Sequence, residues 1–110
     1  MQPIKDNSII QTLKFLQKQF GLNSFQIEDY WTADMCAIGI TDRTGKYLLY
    51  LSTNRKKRDI FHIEVEDKMN PQTTKVVFAD APHKQMQEVF KNYFLPETMQ
   101  DNSHNSSLLQ

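Results

Sequence analysis

The sequence predicts an α+β fold: a mostly antiparallel sheet of four to five strands, with N- and C-terminal helices packed on one face. Three observations carry that expectation. Apolar residues recur at steps of three and four near each end of the chain, the spacing of an amphipathic helix. Between those ends lie short segments that either alternate or run apolar, as strands do. The links between these segments are short, which antiparallel neighbours accept and parallel crossovers do not. Each helix carries a single apolar stripe, so both are expected on the same sheet face, leaving the other face or an edge for function.

Ser8 is positioned to cap the first helix, whose apolar stripe is Ile9, Ile10, Leu13, Leu16 and Phe20. Gly21 follows as the stop, since glycine accepts the left-handed conformation at a helix end. Residues 25–31 are expected as a strand, and Thr32, Ala33 and Asp34 as a loop or bulge. Residues 35–41 form a second strand of small and branched residues, closed by the turn "TDRTGK", in which Gly45 supplies a positive φ. In the third strand, "YLLYLST", both alternating sets are largely apolar, which marks it as central. "NRKKRD" is a turn too charged to bury. Residues 60–66 then alternate cleanly, with Phe61, Ile63 and Val65 facing inward and His62, Glu64 and Glu66 outward. Residues 74–78 supply a further hairpin partner. Pro82 starts the second helix, with Met86, Val89, Phe90 and Tyr93 on one side. Residues 1–96 are thus expected to form a single domain, and the polar, Asn- and Ser-rich stretch 97–110 a disordered tail.

Composition narrows the function classes. Of 110 residues, 39% are hydrophobic and 24% charged, an ordinary globular balance. Lys+Arg and Asp+Glu are both 13, so the chain as a whole has no reason to seek nucleic acid. No apolar run approaches the roughly 20 residues that cross a bilayer, and "MQPIKDNSII" lacks the apolar core of a signal peptide. Cys36 is the only cysteine, so no intrachain disulfide forms. Together these favour a soluble cytoplasmic protein, monomeric, with no membrane partner. The charges are balanced in sum but not in place. Residues 21–42 hold four acids (Glu28, Asp29, Asp34 and Asp42) and no base, whereas residues 43–58 hold six bases and no acid. Such segregation points to surfaces of opposite potential.

Catalytic chemistry finds little support. Cys36 and His62 suggest a nucleophile and its base, but Cys36 falls mid-strand, with no glycine elbow or helix N-terminus to lower its pKa, and a small buried hydrophobe is the better account. His62, His83 and His104 fall on a strand, near a helix start and in the tail, and no HxH, HxxxH or CxxC spacing occurs, so no metal site and no cofactor are expected. Glu28 with Asp29, and Glu64 with Glu66 and Asp67, pair carboxylates, but a glycosidase-like pair needs a cleft that a chain with so few loops scarcely provides. The bland account is a solvated acidic face and the sharper one an acidic docking surface. "NRKKRD" has no interleaved aromatic, so it is expected as a solvated turn rather than a nucleic-acid patch. Tyr30, Trp31, Tyr47 and Tyr50 lie near the acids, where such rings serve either as core or as interface anchors.

The acid-aromatic-Trp segment, "IEDYWTADMCAIGI" with its "CAIGI" strand, and "YLLYLST" after it carry a resemblance to small bacterial immunity proteins of polymorphic toxin and contact-dependent growth inhibition systems. The resemblance spans residues 8–93. It implies a cytoplasmic binder without enzymatic activity, whose partner is a cognate toxin domain, commonly a nuclease, and which blocks the toxin's active site. A nuclease active site is basic, so an acidic, ring-bearing surface complements it. The basic turn departs from a uniformly acidic inhibitor. The toxin-binding candidates are Glu28, Asp29, Tyr30, Trp31, Asp34, Tyr50, His62, Glu64 and Glu66. Two other classes remain open: a small adaptor or secretion chaperone, with a broad apolar groove, and a small-ligand-binding or enzymatic module, with a deep cavity.

Overall fold

A computed structural model describes residues 4–53, 57, 59–70 and 72–95. The elements run α1 (Asn7–Phe20), β1 (Gln26–Ile27), β2 (Ala37–Thr41), β3 (Tyr47–Thr53), β4 (Ile60–Asp67), β5 (Val76–Pro82) and α2 (His83–Phe94). The five strands form one antiparallel sheet in sequential order, with β3 at its centre. The α+β architecture expected from the sequence is therefore the one observed. The expected tail and most of the basic turn, Arg55 and Arg58 included, lie outside the described residues, as does His104.

Both helices cover the same sheet face. Ile9, Leu13 and Leu16 of α1 and Met86, Val89, Phe90 and Phe94 of α2 join Ile38, Ile40, Leu49, Leu51, Phe61, Ile63 and Val65 in one core. Register explains the layering. Ile38 lies opposite Leu51 and Leu51 opposite Ile63, while Ile40 lies opposite Leu49 and Leu49 opposite Val65. One apolar row thus crosses three strands on a single face. Phe90, 1% exposed, stacks on Phe20 at 5.3 Å between ring centroids and meets Phe25 edge-on at 5.9 Å.

Several boundaries differ from expectation, each for a local reason. α1 begins at Asn7 with Asp6 in the cap position, and no side chain caps it; the Ser8 hydroxyl instead shares a 3.0 Å hydrogen bond with Thr53 Oγ1. Gly21 does end the helix at positive φ, but with an extended ψ of 147° rather than a left-handed one. The strand expected over 25–31 shrinks to the two residues of β1. Beyond it the Asp29 carboxylate takes the backbone N–H groups of Trp31 and Gly39, and the chain turns away from the ladder. β5 is longer than expected and is bulged between the Phe61 and Ile63 pairings, with Asp80 at φ 52°. Pro82 closes that strand and sits in the cap position of α2 rather than inside the helix. Cys36 is not mid-strand: it precedes β2, is half-buried, and its Sγ donates to Asp6 Oδ2 at 3.3 Å.

Candidate functional site

The sheet face opposite the helices is built from the alternate residues of the same strands. Gly39 of β2 lies opposite Tyr50 of β3, which lies opposite Glu64 of β4 and, beyond it, Val77 of β5. Leu48 and Glu66 make the next row, Ser52 and His62 the row on the other side. Strand alternation therefore puts Tyr50, His62, Glu64 and Glu66 on one surface.

Over this surface folds the irregular segment 28–35. Its Trp31 ring lies across Gly39: a Cβ built there would come within 2.8 Å of Trp31 Cζ3, and closer still to the Glu28 carbonyl oxygen. Only glycine lets the segment approach so closely. Trp31 meets Tyr50 edge-on at 4.6 Å and Tyr30 at 6.1 Å, and Tyr50 stands 6.2 Å from the His62 ring. Tyr30 is 68% exposed, a large ring left in solvent. The depression bounded by Trp31, Leu48, Tyr50, Glu64, Glu66 and Lys75 measures about 10 Å³, room for one water at most. Around Trp31 and Tyr50 the patch is shallow and ring-bearing, whereas a hollow of about 310 Å³ opens at its far end, with Ser52, His62 and Asp80 in its lining.

The acids of the patch are less free than their sequence neighbourhood suggests. The Lys68 ammonium donates to both oxygens of Glu28, at 2.8 and 2.6 Å, and the Tyr30 hydroxyl donates to Glu28 Oε2 at 2.9 Å. The Lys68 hydrogen bond, then that of Tyr30, hold the Glu28 carboxyl below its ordinary value, while the same contacts raise the Lys68 ammonium and the Tyr30 phenol above theirs. Glu64 accepts from His62 Nε2 at 2.8 Å and faces Lys75 at 3.8 Å. Among the described residues the Glu66 side chain makes no hydrogen bond or ion pair.

Of the nine expected toxin-binding residues, the fold brings together Glu28, Tyr30, Trp31, Tyr50, His62, Glu64 and Glu66. Asp29 does not belong with them. Its side chain is 8% exposed, and its Oδ2 is 2.9 Å from the ammonium of Lys5, itself 1% exposed. Asp34 is exposed but serves its own turn, where Oδ1 accepts the Cys36 N–H at 3.0 Å. Asp42 is 7% exposed and holds the β2–β3 turn, accepting from the N–H groups of Thr44 and Tyr47. The stretch without bases is thus partly neutralised by Lys5 and Lys68, from outside it in sequence. Sequence reasoning missed Lys5, Gly39 and Lys68. For Gly39 a signal existed, a glycine among β-branched residues that marks a close approach.

A larger hollow of about 610 Å³ lies elsewhere, between the start of α1 and the start of α2. His83 stands in its wall, edge-on to Phe15 at 4.7 Å and to Phe61 at 5.9 Å, and its Nδ1 accepts from Gln87 at 2.8 Å. His62 and Cys36 are absent from this lining, so the pair considered for nucleophilic catalysis does not meet there. Among the described residues no group of three His, Cys, Asp or Glu side chains could hold a metal, and no helix is long and apolar enough to cross a membrane. No family model, curated protein or solved structure matches the chain.

Proposed function

We propose that this chain is an immunity protein that binds a cognate bacterial toxin domain, a nuclease being the class its patch fits best, and neutralises it by covering the active site. The observation that carries this reading is the helix-free sheet face, where Tyr30, Trp31 and Tyr50 gather around Glu64 and Glu66 with only a shallow depression between them. Tyr30 is exposed and Trp31 and Tyr50 half-exposed, and such rings bury area at low entropy cost, the composition of interface hot spots. The internal pairing of Glu28 and Asp29 shifts weight from a broad acidic field to these rings, with Glu66 as the carboxylate that meets a toxin Lys or Arg.

The test is direct binding and neutralisation. The reading predicts that an adjoining reading frame encodes a large secreted protein with a variable C-terminal domain; the purified chain is titrated against that domain, and the domain's nuclease activity is followed. The expected result is a one-to-one complex that suppresses cleavage, with suppression lost in a Trp31→Ala/Tyr50→Ala/Glu66→Lys variant that stays folded. Full neutralisation by that variant would sink the proposed surface, and absence of any complex would sink the function. The hollow beside His83 favours one second reading, a small-ligand module. A thermal shift with a metabolite panel that His83→Ala removes, in a chain that binds no toxin domain, would establish it.

A further inference from the structure

The Lys5 side chain is almost completely buried, and the hydrogen bonds and ion pair of its ammonium converge on the segment that carries Tyr30 and Trp31. Its ammonium donates to the carbonyl oxygens of Trp31 at 2.8 Å and Asp34 at 2.7 Å and pairs with Asp29 Oδ2 at 2.9 Å. The other oxygen of the same carboxylate accepts the N–H of Trp31 at 3.0 Å and of Gly39 at 3.3 Å. One cation and one carboxylate therefore clamp both backbone groups of Trp31 and tie them to β2. The next residue, Asp6, adds an N–H to the Met35 carbonyl at 2.9 Å, so the chain ahead of α1 grips the far end of the segment too.

We propose that Lys5, acting through Asp29, is the positioning residue of the docking patch: it holds segment 28–35 so that Trp31 is pressed on Gly39 beside Tyr50 before any partner arrives. The inference rests on the reading of that patch as a toxin-binding surface. Beyond the bond from the Glu28 N–H to the Gly39 carbonyl at 3.0 Å and the turn bond from the Asp34 N–H to the Trp31 carbonyl at 2.9 Å, segment 28–35 has no strand ladder, and it has no stripe of its own in the core. Its backbone polar groups need partners near the sheet, and Lys5 and Asp29 supply them. A preordered aromatic anchor spares its partner the entropy of ordering it, so the effect of the clamp is read in affinity. The sign of that effect separates positioning from charge. If charge alone mattered, removing a cation near an acidic patch would strengthen capture of a basic partner. Loosening the anchor weakens it.

The test uses the one tryptophan of the chain as its own reporter. Acrylamide quenching and emission maximum of Trp31 are measured for the wild-type protein, Lys5→Met, Asp29→Asn and Gly39→Ala, with far-UV circular dichroism to confirm the sheet. Gly39→Ala crowds the Glu28 carbonyl and the Trp31 ring from the sheet side while both Lys5 and Asp29 are kept, and Val89→Ala, in the core beneath the other face, is a control that lowers stability without touching the segment. The expected result is a red-shifted, more readily quenched Trp31 in the first three variants and an unchanged one in Val89→Ala. Binding of the neighbouring toxin domain is expected to weaken about tenfold in Lys5→Met, equivalent to about 1.4 kcal/mol. Wild-type emission and quenching in Lys5→Met and Asp29→Asn would overturn the proposal, as would tighter toxin binding by either. If Lys5→Met does not fold, Asp29→Asn decides. If the wild-type chain binds no toxin domain, the function is refuted, while the quenching data still decide whether Lys5 sets the ring.

Discussion

On the helix-covered face, Ile38, Ile40, Leu49, Leu51 and Ile63 are each 3% exposed or less. On the opposite face the residues that alternate with them, Tyr50, His62, Glu64 and Glu66, stay half-exposed in the same strands. The two surfaces share one backbone but are held by different forces. Apolar area removed from water stabilises the first, at roughly 25 cal/mol per Å². A buried ion pair, an exposed ion pair and a ring packed over a glycine hold the second. Folding free energy is therefore concentrated beneath the helices, and the open face carries side chains that the fold does not consume.

The largest test of that division is Phe90→Ala. Phe90 touches Phe20, Phe25 and Phe94, and its truncation leaves a cavity where α2 meets the sheet. The expected cost is about 3–5 kcal/mol in urea unfolding, a large share of the stability of a domain this size. Toxin affinity of the fraction that stays folded should not change. A loss of affinity in that fraction would mean that the two faces are mechanically coupled.

The converse variant is Trp31→Ala. Its cost should appear in binding, about 2–4 kcal/mol by calorimetry against the toxin domain, with a smaller loss in unfolding free energy because the ring is only half-buried. Stability falling by more than affinity would make Trp31 a core residue and erase the contrast between the faces.

What the sequence discloses follows the same line. β3 was legible to the residue, and the row Phe61, Ile63 and Val65 faces the core as its alternation predicts, because a period of two reports which face is buried. The helices were legible through their own spacing of three and four, but not the Ser8 cap, since the Ser8 hydroxyl bonds Thr53 Oγ1 instead. The open face was legible only as a set of outward residues. Its organisation depends on pairs such as Lys5 with Asp29 and Lys68 with Glu28, far apart in sequence and on no common period. A window free of bases along the chain is not free of bases in space, which is why Asp29 read as a docking residue and turned out internal. The truncated β1 has the same origin: the Asp29 side chain engages backbone groups that a longer strand would have needed.

Gly39→Ala tests the seam between the faces. Its Cβ would meet Glu28 O and the Trp31 ring on the open side, while its neighbours Ile38 and Ile40 keep their places in the core. Overpacking of this kind costs about 1–3 kcal/mol. The strain should fall on segment 28–35, seen as faster amide exchange there with β3 and β4 still protected. Uniform loss of protection across the sheet would show that segment and core unfold together.

The smallest effect concerns Glu28 and Lys68, an ion pair whose side chains are 27% and 29% exposed. The Lys68 ammonium, with help from the Tyr30 hydroxyl, lowers the Glu28 carboxyl from its ordinary 4.5. A depressed carboxyl adds stability that is complete above its unfolded value and disappears as pH falls through its folded one. Stability should thus drop on acidification below about 4.5, the ordinary carboxylate value, and Glu28→Gln should remove only part of that drop, since a partly exposed pair is worth about 0.2–1 kcal/mol. Carbon-13 NMR of the Glu28 carboxyl checks it directly. The midpoint should lie below 4.5 in the wild-type chain and rise toward that value in Lys68→Met. An unchanged midpoint in Lys68→Met would mean that the pair does not persist in solution and that the Tyr30 hydroxyl is what holds the Glu28 carboxyl.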